Sequence, residues 1–581
     1  MVPLCIDSYW TGEISQVAIL AMAAMGFNVT FGYAGELALQ QAAIYAVGAY
    51  VGAVLLNHGV AVPFAILGVL VAALAVGLVT GLPGLRFSGW SLALLTFFMV
   101  FVIPDLVLLF KSQTGGTIGL SITTYWSVGR LYELTLGVLV VSLFVIRNLV
   151  TSQWGLTLKV MRQSPELAES FGIKVHTVKF AAYVLGALPA AAAGMLFALS
   201  EGFINTTDFD LNLAVLILAA GVLGGLGSVY GPVLGAAVLV LLPERLSTFG
   251  QYSIVVYGAV LVLVAVAVPG GGAGLFRKLI ARLGLDRFTA SPPGGSSAAE
   301  PPSADSAVAR LTADDDVSRA AGSLDVDGVS VSFDGLRALD SVSMSAQPGV
   351  VTGLVGPNGS GKTTLLNVIN GYVTPAAGSI NVNGTTVRPG RPAAISRSGL
   401  ARTFQTPRIP EDMTTLDAVR AALFSERSVN VVQSILRTRG WWRATRAETQ
   451  RAVAALDAVG LYARAGQMAS GLSLGEKRLL EIARALVRRP SVVLLDEPAS
   501  GLSEHEIEEF VIALDELKKT SAAIILVEHN AALVHRVADR VYCLATGRVI
   551  ASGEPEAVLS DERVIQAWLG RAEHATKEPA S

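Results

Sequence analysis

A chain of 581 residues exceeds what one hydrophobic core organises, since single cores stop growing at roughly 250–300 residues. Apolar residues make up 52% and charged residues 15%, well under the charge content of a soluble chain; the net charge of −2 averages two unlike halves and says little about partners, and no nucleic-acid partner is expected. The two cysteines, Cys5 and Cys543, lie in different halves and exclude a disulfide framework, while six scattered histidines exclude a metal held by protein side chains alone.

No Lys or Arg precedes Arg86. Over this half, apolar runs recur around residues 14–33, 37–57, 61–82, 90–110, 130–150, 178–200, 211–227, 229–243 and 251–269. Several reach the ~20 residues that cross ~30 Å of hydrocarbon, and the Gly-rich pair around 224–231 is short, so eight to nine spans are predicted. No basic region opens the chain, which does not fit a cleavable signal peptide. The basic residues Arg86, Arg147, Lys159, Arg162, Lys174, Arg277, Lys278, Arg282 and Arg287 mark cytoplasmic sides. Nine crossings from an outside start satisfy them all and place Glu201, Asp208 and Asp210 outside; Arg130 is the misfit.

Within this half, "FGYAGELALQQ" sets Glu36, Gln40 and Gln41 between two apolar runs. A carboxylate facing lipid costs ~2.5–3.5 kcal/mol, so Glu36 must face protein, water or the interface, in a surface turn or in a broken helix lining a path. The charged stretch Gln153–Phe180 contains Ser164-Pro165-Glu166, a helix opening with Pro in its first turn. A short docking helix on the cytoplasmic face is the expected structure.

Residues 288–322, rich in Pro, Ser, Ala and Asp, cannot bury enough surface to order themselves and predict a tether. The domains expected are a membrane domain at 1–285, a disordered linker at 286–323, a soluble α/β domain at 324–572 and a tail at 573–581.

After the linker, "VVTGLVGPNGSGKTTLLNVINGY" reads as strand, glycine loop and helix. The loop Gly356-Pro357-Asn358-Gly359-Ser360-Gly361, followed by Lys362, Thr363 and Thr364, has the spacing that wraps phosphate oxygens in backbone amides, with Lys362 across the β and γ phosphates and Thr363 on Mg²⁺. "SVVLLDEP" is a buried strand ending in Asp496, a Mg²⁺ candidate, and Glu497, placed to polarise water. Ser473 and Glu476 form a capping-box pattern at the head of "LGEKRLLEIARAL". "AAIILVEHN" ends at His529, more often structural when alone, and Gln405 in "ARTFQTPRIP", which is expected to open an intervening helical region, means nothing alone.

In that order, Gly356–Thr364, Gln405, Leu472–Glu476, Asp496–Glu497 and His529 resemble the ATP-binding-cassette (ABC) ATPases. "LARTFQTPRIPEDMTTLDAV", "LSLGEKRLLEIARAL" and "VIQAWLG" are similar to the ATPase of branched-chain amino-acid uptake systems, and "GFNVTFGYAGELAL", "MRQSPELAESFGIKVHTVKF" and "LILAAGVLGGLGSVYGPVLGA" to its permease. The resemblance implies a fused chain: a polytopic helical membrane domain followed by a P-loop α/β ATPase with a helical subdomain. It implies ATP and Mg²⁺ as cofactors, Glu497 as catalytic base, His529 as γ-phosphate sensor, and Thr363, Gln405 and Asp496 around Mg²⁺. Phe333 falls where a ring stacks on adenine.

Ser473, Leu474, Gly475 and Glu476 would form the signature that meets an ATP held by a second subunit, and the branched-chain subfamily accepts a bulky residue such as Leu474. Two departures stand out. Ser503 replaces a common Asp, and Ala38-Leu39-Gln40-Gln41 replaces a Ser-Leu-Gly-His-type stretch. The resemblance implies a bacterial inner-membrane importer with a cytoplasmic ATPase domain, working with second permease and ATPase subunits, a heterodimer before a homodimer, and with an extracytoplasmic binding protein. Branched-chain amino acids, urea, short amides and aromatic acids are the solutes it brings into view. An exporter and a membrane-tethered regulatory ATPase are the competing readings.

Overall fold

The computed structural model describes residues 8–246 and 322–569, apart from 88, 123–125, 334 and 427–429, and a few isolated positions between the two stretches. The predicted run 251–269, most of the linker and the tail lie outside the described residues.

The chain forms two compact units. The first is helical: α1 (Ser8–Phe27), α2 (Gln41–Asn57), α3 (Val62–Gly84), α4 (Trp90–Leu109), a turn α5 (Lys111–Thr114), α6 (Val128–Val150), α7 (Gln153–Gln163), α9 (Val175–Glu201), α10 (Leu211–Gly224) and α11 (Gly231–Leu246). Five of these are long and apolar enough to cross a membrane, α1 counted with the turn that extends it, and α2, α10 and α11 are shorter apolar helices. Eight predicted runs therefore coincide with helices. Where α4 and α9 end, β1 (Leu120–Ser121) pairs antiparallel with β2 (Phe203–Ile204), joining two loops that the charge pattern assigns to the same side.

Small residues set the centre of this unit. A Cβ on Gly48 would lie 2.1 Å from the Ala191 carbonyl oxygen, and one on Gly194 1.8 Å from that of Tyr45, so α2 and α9 meet backbone to backbone. Such approach is how helices gain contact in lipid, where no hydrophobic force drives them together. The α1 helix loosens into a π-turn, Asn28–Tyr33, and the chain stays non-helical until α2 begins. Asn28 closes the break by accepting from Gly227 N–H (2.8 Å) and donating to the Ser228 carbonyl (2.6 Å).

The second unit is α/β. Strands β3 (Leu324–Phe333), β4 (Leu336–Ala346), β6 (Ala377–Val382) and β7 (Thr385–Thr386) form an antiparallel sheet in the order β4-β3-β6-β7. A six-stranded sheet runs β12-β11-β5-β10-β9-β8, with β5 (Val351–Val355), β8 (Leu400–Arg402), β9 (Val492–Asp496), β10 (Ala523–Val527), β11 (Arg540–Ala545) and β12 (Arg548–Gly553). Only β12 is antiparallel to its neighbour. Every residue of β5, β9 and β10 is buried, as strands covered on both faces require. Helices α12 (Lys362–Ile369), α13 (Pro392–Arg397), α14 (Thr415–Ala421), α16 (Arg439–Ala458), α17 (Leu474–Leu486), α18 (Glu504–Lys518) and α19 (Ala531–Val537) belong to it, with short helical turns at Pro555–Leu559 and Glu562–Val564.

Each unit includes a short segment distant in sequence. Ser164–Lys174, with the helix α8 (Pro165–Ser170), belongs to the α/β unit, and Asn430–Arg437, with α15 (Val431–Leu436), belongs to the helical one. Ser164 caps α8 by accepting from Leu167 N–H, with Pro165 in the first turn. In the helical unit, Asn148 donates to the Ile435 carbonyl and Arg437 to the Thr151 hydroxyl, both at 2.8 Å.

Candidate nucleotide site

The loop Gly356–Gly361 leaves β5 and enters α12. Gly356, Gly359 and Gly361 have φ of +143°, +78° and +108°, which side-chain-bearing residues rarely adopt. A Cβ on Gly356 would also lie 2.0 Å from the Leu544 carbonyl oxygen. Lys362, the first residue of α12, folds back and donates to the carbonyls of Gly356 (2.7 Å) and Pro357 (2.9 Å). Burial pushes its pKa down, against the pull of Glu497 and Asp496. The Ser360 hydroxyl is buried with no hydrogen-bond partner among the described residues. A strand, a loop bent by glycines at positive φ and an unused hydroxyl at a helix start make an anion cradle.

Strand β9 delivers the acids beside it. Asp496 is buried at its end and 3.2 Å from Arg402; burial pushes its carboxyl up while Arg402 pulls it down. Glu497 follows at φ +47°, a strained position for a non-glycine residue and one that tight sites retain. Its two carboxylate oxygens are both engaged: Gln405 Nε2 donates at 2.9 Å and His529 Nε2 lies at 2.7 Å. The structure thus brings together three residues from separate segments. Gln405 sits in irregular chain between β8 and α14 rather than opening a helix. Glu528, beside His529, accepts from Ala499 N–H (2.8 Å), and burial pushes its carboxyl up.

The residues present fit Mg²⁺. Asp496, the Thr363 hydroxyl in the first turn of α12 and the Gln405 amide offer the hard oxygen donors that this ion takes together with phosphate. Phe333 is half-exposed and pairs with Leu336, just before Ala338 and Leu339, which lie against Gly361.

Ser473 caps α17, and Glu476 closes the capping box by accepting from Ser473 N–H at 2.8 Å. Among the described residues, no hydrogen bond joins this helix start to the glycine loop of its own chain. Glu506 covers it instead, accepting from Gly475 N–H (3.2 Å) and the Ser473 hydroxyl (3.4 Å). The other Glu506 oxygen accepts from Ser503, by N–H (2.9 Å) and hydroxyl (2.8 Å), so Ser503 caps α18. Leu474 is exposed.

Sequence reasoning missed the group behind the signature. Arg478, Glu481 and Arg484 are buried, with Glu481 3.3 Å from each arginine. Arg478 donates to the carbonyls of Phe404 (2.8 Å) and Gln405, and Arg484 to that of Arg408 (2.7 Å), so α17 carries the Gln405 segment on its side. The available signal was three charges at i, i+3 spacing inside a Leu/Ile pattern.

Segment Ser164–Lys174 meets the same region. Arg408 donates to the Ser164 hydroxyl (2.8 Å) and the Glu166 carboxylate (2.5 Å), and the Tyr372 hydroxyl donates to the Glu166 carbonyl (3.0 Å). Buried Arg488 donates to the Ser170 carbonyl (2.6 Å) and to Ser396, whose hydroxyl donates to that same Ser170 oxygen.

Three families match the chain: "Branched-chain amino acid transport system / permease component" at residues 11–265, "ABC transporter" at 339–500, and "Branched-chain amino acid ATP-binding cassette transporter" at 548–574. The "High-affinity branched-chain amino acid transport ATP-binding protein LivG" of Escherichia coli is 35% identical over 252 residues, 43% of this chain and 98% of that protein. BraF of Pseudomonas aeruginosa, with the same description, is 32% identical over the same shares. A probable LivG of Archaeoglobus fulgidus is 34% identical, over 42% of this chain and 95% of that protein. The helices, the cradle and these likenesses agree: the chain belongs to the branched-chain amino acid family of ABC transporters and carries both permease and ATPase, hydrolysing ATP to drive transport.

Proposed function

We propose that the chain is half of an ATP-driven importer in the bacterial inner membrane, with a cytoplasmic ATPase domain, receiving its solute from an extracytoplasmic binding protein. The observation that carries this is the shared neighbourhood of Ser164–Lys174 and the Gln405 segment, since α8 continues by chain into α9 while Arg408 and Arg488 hold it on the ATPase. The domain boundaries 1–285, 286–323 and 324–572 serve this division of labour.

At the nucleotide, Lys362 and the amides of Gly356–Thr364 neutralise the phosphates, and Phe333 stacks on the adenine. Mg²⁺ on Thr363, Gln405 and Asp496 would add charge neutralisation at the transferring phosphoryl group. Glu497 orients and deprotonates the attacking water, and His529 senses the γ-phosphate while fixing Glu497. Ser473 and the Gly475 amide would contact the ATP of a partner ATPase, with Leu474 and Glu476 completing the signature, so Glu506 must give way when two ATPase domains close. The chain therefore works with second permease and ATPase subunits, a heterodimer before a homodimer. Branched-chain amino acids, urea, short amides and aromatic acids are the solute classes to test.

Stimulation of ATPase rate by loaded binding proteins, with the full complex in liposomes, tests import: at least one should accelerate turnover, and none doing so contradicts it. Arg488→Ala would strand the Ser170 and Ser396 acceptors and cut that stimulation roughly 5–150-fold, the range of a 1–3 kcal/mol coupling. Basal turnover is expected to survive, because Ser170 and Ser396, to which Arg488 donates, are not residues of the nucleotide site; equal losses of both rates would remove it from coupling.

A further inference from the structure

Gln40 and Gln41, at the start of α2, are 0% and 1% exposed, and none of their side-chain N and O atoms has a hydrogen-bond partner among the described residues. Leaving a buried polar group unpaired is costly, and leucine would fill the same space without that cost. The cost falls beside the break between α1 and α2, against one face of α9. That face presents Lys179, Tyr183 and Gly186, four and then three residues apart.

Each of the three meets a different part of the break. Lys179 pairs with Glu36, whose Oε2 remains buried and unpartnered. Tyr183 packs with Ala38 and Leu92, and its hydroxyl is also buried without a partner. At Gly186 the amide of Gln41 enters the notch between α1 and α9: a Cβ on Gly26 would lie 2.9 Å from Gln41 Oε1, and one on Gly186 3.6 Å from Gln41 Nε2. From Lys179 to Gly186 the helix rises about 10 Å. Unsatisfied donors and acceptors thus run along α9 from an ion pair into the bundle.

We propose that this strip, centred on Gln40 and Gln41, is the solute-recognition site of the membrane path, taking a small solute that carries hydrogen-bond donors and acceptors and no net charge, a zwitterion or an amide. This rests on the importer reading above. Glutamine amides donate and accept, as such a solute requires. The charges within the strip cancel in the Glu36–Lys179 pair, so an anionic acid would enter it with its charge uncompensated; Arg162, which keeps its charge, donates to the Gly32 carbonyl at 2.6 Å, in the π-turn outside the strip. The Glu36–Lys179 pair closes one end of the strip by tying the non-helical segment to α9.

Cysteine accessibility tests this without knowing the solute. In the full chain with its partner subunits, with Cys5→Ala and Cys543→Ala as background, Gln40→Cys and Gln41→Cys are treated with neutral methyl methanethiosulfonate and with its anionic sulfonatoethyl analogue. Ala73→Cys, at a fully buried position of α3, is the packing control. The expected result is modification by the neutral reagent at least about ten-fold faster than at the control, changing with ATP, and about ten-fold slower with the anion. Cysteines as inert as the control with and without ATP overturn the site, and equal rates with the anion overturn its neutral class. Tyr183→Cys reads the same strip if a glutamine variant does not assemble. Inert cysteines in a chain whose uptake depends on Glu497 would sink the site and leave import standing. Reactive ones in a chain indifferent to Glu497→Gln would do the reverse.

Discussion

Glu497→Gln is expected to lower the turnover number for ATP by about 10²–10⁴-fold, the usual share of a general base. The substitution keeps the side chain's shape and one oxygen for the Gln405 donor at 2.9 Å, but removes the charge facing His529 at 2.7 Å and the capacity to take a proton from water. ATP affinity should hold or rise, because Lys362 and the loop amides are untouched. Steady-state hydrolysis and nucleotide binding by the full complex check both halves. Turnover within about two-fold of wild type would move the base elsewhere.

Glu481→Leu is expected to be the most damaging substitution for stability. Glu481 sits between Arg478 and Arg484, all three buried; burial pushes its own pKa up, and the two guanidinium groups pull against that. Removing it leaves two buried cations facing each other, and breaking such a group costs about 3–5 kcal/mol. The carbonyls of Phe404, Gln405 and Arg408 hang on those arginines, so the loss reaches the nucleotide site. Thermal unfolding of the purified full chain, with and without ATP, should show a lowered transition and a smaller shift on adding ATP. An unchanged transition would mean that the arginines find other partners.

Much of the architecture was legible because its signals are local. A span is written by a run of apolar residues and a phosphate loop by glycines at fixed spacing, so eight runs and the strand–loop–helix at Gly356 could be read directly. The capping box at Ser473 and the helix opened by Pro165 are local in the same way.

What escaped depends on residues far apart in the chain. Arg478 meets a carbonyl 74 residues away and Arg488 one 318 residues away, and nothing in a helical pattern says which acceptor a buried arginine will find. Asn430–Arg437 gave no sign that it would join the helical unit. Glu506 stands at the third position after Ser503, and only the fold shows its second oxygen on Gly475 and Ser473. Glu36 was left between a surface turn and a broken helix. The π-turn before it and its buried pairing with Lys179 show the helix broken there, with Glu36 facing protein.

The most direct test of the central claim is solute uptake by the full complex with its binding protein, using labelled leucine, urea, acetamide and phenylacetate, in wild type and Glu497→Gln. The account predicts that at least one neutral solute accumulates against its gradient and that the substitution cuts its initial rate by about 10²-fold or more. Equal uptake by the two proteins would contradict it.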